Sequence, residues 1–516
     1  MKRIVGIDLG TTFSSIAQLN ELGKPDIFPV DAERVVPSAV YFESNNKFYC
    51  GGVAINALTT SNDRVVRWIK KTMGSDYYDI SNDGKKIESG RLVIGKKWTP
   101  SELSSFVLKH LSSNYEKIHG EIAGAVVTVP AYFDEKRRKA TMDAAEMAGL
   151  NVLGIVNEPT AAAIYYSSEK KIDGTNLVFD LGGGTFDITI MSVNGQHVDV
   201  IASEGDSNLG GFDFDLALTN YFLKQYELSG NSLSDLNDED YATWLLRAET
   251  TKINLSKLSS AKFSASVGSK MFSEEINRAK FNEITSPLVS RIEMLIELAL
   301  DEAKMSASDI DNILLCGGST RIPVIQDKLQ KIFNKPPLEV GNVDEAVSLG
   351  AAIYAGILAL DQIPEALNAK AKDFLIEKVV SDVCNHSYGT IALTEDEFTG
   401  QLVQQNMIII KKNSRIPIEV NERLFTASNN QTELHARITQ GESLDPSSVN
   451  IVSEGYLKFP ARPAGQPIDI VYSYDQNQRM KCVFTDVGTG KELLLELELK
   501  TNEEAKKDDI FSDFDF

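Results

Sequence analysis

Over the first two thirds of the chain, short apolar runs of β type alternate with longer amphipathic stretches. Ile4–Ile7 and Ser14–Leu19 flank a Gly-Thr-Thr turn, and Ala125–Val129 is a further apolar run ended by Pro130. Glu135–Ala148 predicts a helix with its charges on one side and Gly149 as its stop. Leu177–Phe179 and Ile188–Val193 flank a second glycine turn, and Ser286–Lys304 has helical periodicity. Ile313–Leu315 reads as a buried strand that passes through Gly317-Gly318 into a helix near Pro323–Phe333. Ala346–Leu360 is a last, Ala-rich helix. Such alternation predicts an α/β fold. After about Asp361 the texture changes to short β runs at Gly389–Leu393, Met407–Ile410, Leu434–Ile438, Ile468–Tyr474, Met480–Thr485 and Leu493–Leu499, which predict a β-sandwich. Lys458–Pro467, with three prolines, is expected to be an irregular crossover. Thr501–Phe516 is charged and then alternates acids with aromatics, and it is expected to be a disordered acidic tail.

A chain of 516 residues exceeds one hydrophobic core, which agrees with at least two domains. Hydrophobic residues make up 42% and charged residues 24%, ordinary for a globular protein. With 52 basic and 73 acidic side chains the net charge is −21, which argues against nucleic acid or an anionic membrane as the main partner. The Met1-Lys2-Arg3 start does not read as a signal peptide, and no apolar stretch is long enough to span a bilayer. Cys50, Cys316, Cys384 and Cys482 are scattered, which suits reduced thiols of a cytoplasmic protein better than a disulfide framework or a zinc site.

Val5–Thr12 resembles Val178–Thr185: each is a strand ending in Asp-Leu-Gly, then a small-residue turn. Two such hairpins suggest a duplicated domain that clamps a ligand between its halves. Glycine turns let backbone N–H groups approach a phosphate closely, and threonine hydroxyls add donors. A strand-end Asp suits a hydrated Mg²⁺ or an attacking water. No Gly-Lys-Ser/Thr follows either turn, so neither is a Walker A loop. A lone Asp-Leu-Gly is usually a structural turn; two in matching contexts favour a site. Asn157–Ala161 places a carboxylate at a helix start, and Gly317–Arg321 opens a helix after a buried strand. Glu249 and Lys252, one helical turn apart, fit a surface ion pair as readily as a nucleoside contact.

Taken together, Ile7–Thr12 (IDLGTT), Val129–Thr141 (VPAYFDEKRRKAT), Asn157–Ala163 (NEPTAAA), Asp180–Asp187 (DLGGGTFD), Gly317–Pro323 (GGSTRIP) and Asp344–Ala352 (DEAVSLGAA) resemble the DnaK-like, seventy-kilodalton heat-shock chaperone family. The resemblance implies an actin-like, duplicated ribonuclease-H-like ATPase domain over 1–370, a linker over 371–382, an all-β peptide-binding sandwich over 383–500 and the tail over 501–516. It implies ATP/ADP and Mg as cofactors. Lys70, Glu158, Asp180, Thr185, Asp8 and Asp187 match the catalytic set, with Asp8, Asp180 and Asp187 holding the Mg through waters. Thr11, Thr12, Gly182, Gly183, Gly184 and Thr185 match phosphate contacts, and Gly10, Gly210, Gly211 and Gly317 match further nucleotide-binding positions. Glu249, Lys252, Ser256, Gly318, Ser319, Arg321 and Asp344 match nucleoside contacts. Pro130, Arg138 and Asp382 match the switch between domains, and Leu393, Leu424, Leu434 and Ile438 match the lining of a peptide cleft. The implied activity is slow ATP hydrolysis coupled to binding of exposed hydrophobic segments. Extended client peptides, a specialised J-domain co-chaperone and a nucleotide exchange factor are the implied partners. The alternative is an ATP-binding regulator of another chaperone with little hydrolysis; the complete catalytic set favours the first reading.

The sequence also departs from the family pattern. The helical lid that follows the sandwich in the family is expected to be absent, and Lys378–Asp382 has lost part of the linker's aliphatic character, which resembles the HscC-type branch; weaker coupling is the expectation. Gly154 replaces an arginine that meets J-domain partners, and Ala265–Glu275 is shorter than the usual exchange-factor loop. Phe212 replaces an acidic residue near the nucleotide cleft, Met142 replaces a polar residue after the switch, and Thr394–Gln405 is an extra stretch in the sandwich.

Overall fold

The computed structural model describes residues 3–169, 172–268, 270–338, 342–395, 401–475, 480–497, 510–511 and 514. Two sheets form the two lobes of the N-terminal domain. In the first, strands lie in the spatial order Val152–Asn157, Ile122–Val129, Arg3–Leu9, Phe13–Leu19 and Pro25–Phe28, with Val36–Pro37 branching from Phe13–Leu19. In the second the order is Asn312–Cys316, Gly174–Leu181, Phe186–Asn194, His197–Asp206 and Val379–Ser381. Each sheet centres on an antiparallel hairpin, with Asp8 opposite Ser15 in one and Asp180 opposite Asp187 in the other. The repeat seen in the sequence is thus a repeat of topology. Helices Glu158–Glu169 and Ala346–Gln362 lie between the lobes, and their alanines share a core with Val126 of one sheet and Val178 of the other. Small side chains there bring both hairpins close to one cleft.

The C-terminal domain is a sandwich of two four-stranded antiparallel sheets. One is ordered Leu402–Ile410, Tyr388–Glu395, Gln431–Gln440, Asn450–Arg462; the other Ile418–Phe425, Pro467–Tyr474, Met480–Asp486, Lys491–Leu497. Ile468, Ile470, Tyr472 and Tyr474 point inward at every second position, as strand geometry requires. Residues 396–400 of the extra stretch lie outside the described residues; the strands on either side pair as a hairpin, with Leu393 opposite Gln404.

Several expectations need correction. Lys458–Arg462 belongs to a 13-residue strand, so the irregular crossover begins only after it. The linker expected from residue 371 starts inside helix Ala369–Leu375, whose Ala371 and Leu375 are buried in the core between the lobes. What remains, Val379–Ser381, pairs in parallel with His197–Asp199 as an edge strand of the second lobe. The tail was expected to be disordered, yet Ile510, Phe511 and Phe514 pack against the first lobe. The rest of 501–516 lies outside the described residues. Strong helices at Pro100–His119, Gly211–Leu228 and Asp238–Lys257 escaped the hydrophobic pattern. The first is fixed by a capping box between Thr99 and Glu102 with Pro100 in its first turn. All four cysteines are buried and free, and no described helix is long and apolar enough to cross a membrane.

Candidate nucleotide site

Between the lobes lies a cleft lined by Asp8, Gly10, Thr11, Thr12, Lys70, Glu158, Asp180, Gly182, Gly183, Thr185, Gly317, Gly318 and Asp344. It joins a second hollow lined by Thr11, Thr12, Arg67, Trp68 and Glu249. Most of the residues expected at the nucleotide therefore meet in one place, drawn from both halves of the repeat. The two glycine turns touch: a Cβ on Gly183 would overlap Thr12 Oγ1, and one on Gly184 would lie 2.6 Å from Thr11 Cγ2. Side chains other than hydrogen would force the hairpins apart.

The sequence alone did not separate Lys70 from Lys71, and the fold does. Trp68 sits in the left-handed region, φ 53°, and caps a 3-10 turn over Ile69–Thr72. A non-glycine residue there is strained, and such strain gathers at functional sites. The turn sends Lys70 into the cleft, where its ammonium pairs with Glu158. Lys71 turns the other way, 3.5 Å from Asp213 and over the Phe212 ring.

Around Lys70 the site is rich in carboxylates. Burial, then Glu158, pushes Asp8 up to about 7, although Thr128 donates to it at 3.0 Å. Asp187 also rises to about 7 through burial and then Glu158, despite accepting from the Tyr132 N–H at 3.1 Å. Asp180 lies well above the usual carboxylate range because of burial first, then Glu158, Asp187 and Asp8. A desolvated cluster of like charges resists ionisation, and a nearby cation relieves it. No three such groups reach direct metal-ligand spacing among the described residues.

Other expected contacts are placed as follows. Gly210 packs on Gly184, and Gly211 accepts from Lys252 Nζ at 2.9 Å. Lys252 also pairs with Asp215 at 2.8 Å, and Ser256 donates to the Lys252 carbonyl at 3.2 Å. Ser319 donates to the Gly182 carbonyl at 2.9 Å. Gly317, at φ +81°, adopts a conformation natural to glycine and opens the turn that carries Ser319 and Arg321. Arg321 pairs with Asp344 at 2.8 Å, and Glu249 accepts from Arg67 at 3.3 Å.

A second constellation joins this site to the sandwich. Arg138, 2% exposed, donates to Asn157 Oδ1 at 2.7 Å and to the Phe133 carbonyl at 3.0 Å. The Asn157 amide in turn donates to Asp382 at 3.0 Å. Pro130 ends the strand that leads into this loop, and its carbonyl accepts from Phe133 N–H at 3.2 Å. Asn157, which the sequence reading assigned no role of its own, is the neighbour in sequence of Glu158. Glu135 was also missed: it is buried and accepts from Tyr388 at 2.6 Å and from Tyr474 at 3.2 Å, both from the sandwich. Lys412–Glu204 and Arg415–Asp199 add ion pairs across the same boundary.

The four residues expected to line a peptide cleft differ in burial. Ile438 is fully buried in the sandwich core, and Leu424 and Leu434 pack partly buried against that core. Leu393 is 48% exposed. Ile438 is therefore a core residue in this arrangement, because its strand alternation directs it between the sheets.

Residues 4–512 match the family model described as Hsp70 protein. Among curated relatives, the chain is 36% identical over 516 residues to a protein named chaperone protein dnaK from Cyanidium caldarium. It is 35% identical to one so named from Cyanophora paradoxa and 36% identical to another from Thermosipho melanesiensis. Each alignment covers 95% of this chain and 79% of the relative. With its duplicated lobes, interlobe cleft and appended sandwich, the chain belongs to the Hsp70 family.

Proposed function

We propose that the chain is an ATP-dependent molecular chaperone that hydrolyses ATP slowly and binds extended, exposed hydrophobic peptide segments through its sandwich. The observation that carries this reading is the continuity of Glu158, in the nucleotide cleft, with Asn157, which touches both Arg138 and Asp382. A change at the phosphate end then shifts a group that holds the linker.

In this reading Thr11, Thr12 and Gly182–Thr185 cradle phosphate oxygens with N–H and O–H donors from two sides. Lys70, held by Glu158, positions the attacking water, and Asp180 and Thr185 orient it. The surplus of buried carboxylates fits a Mg²⁺ held through waters by Asp8, Asp180 and Asp187, which when bound supplies positive charge beside the phosphates. Catalysis is mostly positioning and charge neutralisation. Glu249, Lys252, Ser256, Gly318, Arg321 and Asp344 frame the nucleoside. Backbone hydrogen bonds along the sandwich supply affinity for an extended peptide. Leu393, Leu424 and Leu434 are the apolar side chains available to it.

The test is single-turnover hydrolysis by the full chain, with and without a peptide library. The expected result is slow turnover that rises with peptide and is lost in Lys70→Ala and Thr185→Ala while ATP binding persists. Full activity in Thr185→Ala would sink the site assignment. Phe212, which packs across the cleft, favours long nucleotide residence; tight ATP binding with no turnover would support the regulator reading instead.

A further inference from the structure

The residues from Asp508 to Phe516 combine four acids with three phenylalanines. Composition alone makes this a solvated tail, yet Phe511 is only 8% exposed and belongs to the core of the first lobe. The rings of Phe511 and Phe514 meet Phe106 edge to face at 5.1 and 5.2 Å, and Phe514 meets Phe48 at 5.6 Å. The Phe514 N–H donates to the Phe511 carbonyl at 3.0 Å, a local turn that sets the two rings on one side. Lys109 lies 5.9 Å from the centre of the Phe511 ring, placing a cation beside a segment rich in acids.

The receiving surface is made by elements of the first lobe. It lies between the hairpin Val40–Ser44 and Lys47–Cys50 and the helix Pro100–His119. Its floor is Phe42 stacked on Trp98 at 5.2 Å and meeting Phe106 edge-on at 5.2 Å. Phe42 and Phe106 are fully buried in the docked chain; Phe42 is held from below by Trp98, and Phe514 meets both rings from above. An aromatic groove, met by two aromatic side chains three residues apart, has the form of short-peptide recognition.

The sandwich lies between two attachments in the chain. Before it, Val379–Ser381 is an edge strand of the second lobe; after it, Ile510, Phe511 and Phe514 sit on the first lobe. We propose that Ile510–Phe514 is a tethered docking peptide, and that this aromatic groove is a recognition site for an acidic Phe-x-x-Phe segment, filled in cis by the chain's own residues. The sandwich is then held to the ATPase domain at both of its ends, and undocking of the linker alone does not free it. This inference does not depend on the nucleotide site.

A fluorescent peptide copying residues 505–516 tests it, titrated by anisotropy against the full chain and against full-length Phe511→Ser/Phe514→Ser. The double variant should bind the peptide saturably. The unaltered chain, its groove filled in cis at high effective concentration, should bind it roughly tenfold more weakly or less. A peptide with both phenylalanines replaced by serine should bind neither. Unchanged basal ATP turnover in the double variant shows that it is folded, since neither phenylalanine touches the cleft. Equal peptide binding by both chains, or by neither, would overturn the proposal. Light scattering supplies the other arm: a dimer of the unaltered chain that the double variant loses would give the groove to a second copy and overturn cis occupancy.

Discussion

Phe212 shows how one side chain can set the behaviour of a cleft. It stands at the start of helix Gly211–Leu228, on the second lobe, yet it packs in the core of the first. Its ring meets Trp68 at 4.6 Å, and Lys71 lies over it at 4.8 Å. Opening the cleft must expose this ring and break the neighbouring Lys71–Asp213 pair. Withdrawing a buried phenylalanine costs about 1.5–3 kcal/mol, so cleft opening is slowed by roughly ten- to a hundredfold relative to a chain without it. Phe212→Ala should therefore speed ADP release by about that factor and leave the single-turnover rate little changed. Stopped-flow release of a fluorescent ADP measures it; an unaltered off-rate would show that the ring does not span the opening motion. The sequence marked Phe212 as unusual without revealing its partner, because Trp68 lies on the other lobe. Lys70 and Lys71 were likewise inseparable in the chain, since the left-handed turn at Trp68 decides which one faces the cleft. That Asp8, Asp180 and the glycine turns share one cleft was legible because the strand–Asp-Leu-Gly–turn pattern occurs twice in the chain.

At the scale of elements, the short strand Val379–Ser381 and the segment after it decide how the domains meet. The hydrophobic pattern missed this strand because three residues carry no readable period, and its pairing is visible only once the second lobe is folded. The tail was misread for a related reason: acids dominate its composition, while its aromatic receptor lies some four hundred residues earlier in the chain. Just beyond the linker, His386 is partly buried, edge-on to Tyr132 at 5.4 Å and 3.4 Å from the Phe133 carbonyl. Burial, then Arg138, depresses it from 6.5 to about 4, against opposing pulls from Glu442 and Asp134. Between about 4 and 6.5 the undocked form holds a proton that the docked form does not. Docking should therefore weaken as pH falls through that window, by up to about tenfold per unit, and level off below it. Glu135 and Asp382, both raised by burial, act in the opposite sense, because the docked carboxyls take up protons earlier than the undocked ones. His386→Gln isolates the histidine: interdomain energy transfer followed against pH should lose its acid-side decline relative to the unaltered chain. An identical decline in the variant would assign the pH dependence to other groups.

For the whole molecule, the question is whether the two domains act as one. The contact between them is polar and partly buried: Asp382 on Asn157, Tyr388 and Tyr474 on Glu135, Lys412 on Glu204. Such groups are well satisfied only in one relative placement, so docking is two-state in character rather than graded. Arg138 makes this boundary sensitive. Its guanidinium is buried, and its positive charge favours ionisation of both Asp382 and Glu135 against their burial. Removing one partner of a fully buried charge pair costs about 3–5 kcal/mol. Asp382 is itself partly exposed, which reduces the figure to about 1–2 kcal/mol, or roughly a five- to thirtyfold shift toward undocked chains. Asp382→Ala should thus keep basal hydrolysis, since the carboxylates around Lys70 are untouched, but lose most of its response to peptide. Arg138→Ala should do the same through the other side of Asn157. Because both substitutions break one Arg138–Asn157–Asp382 chain, the double variant should be little worse than either single one. Additive losses would mean that the two residues hold the domains together separately, and that Asn157 does not carry the signal from the cleft. That cycle, read as the ratio of peptide-stimulated to basal turnover in four full-length chains, decides whether the cleft and the sandwich share a single connection.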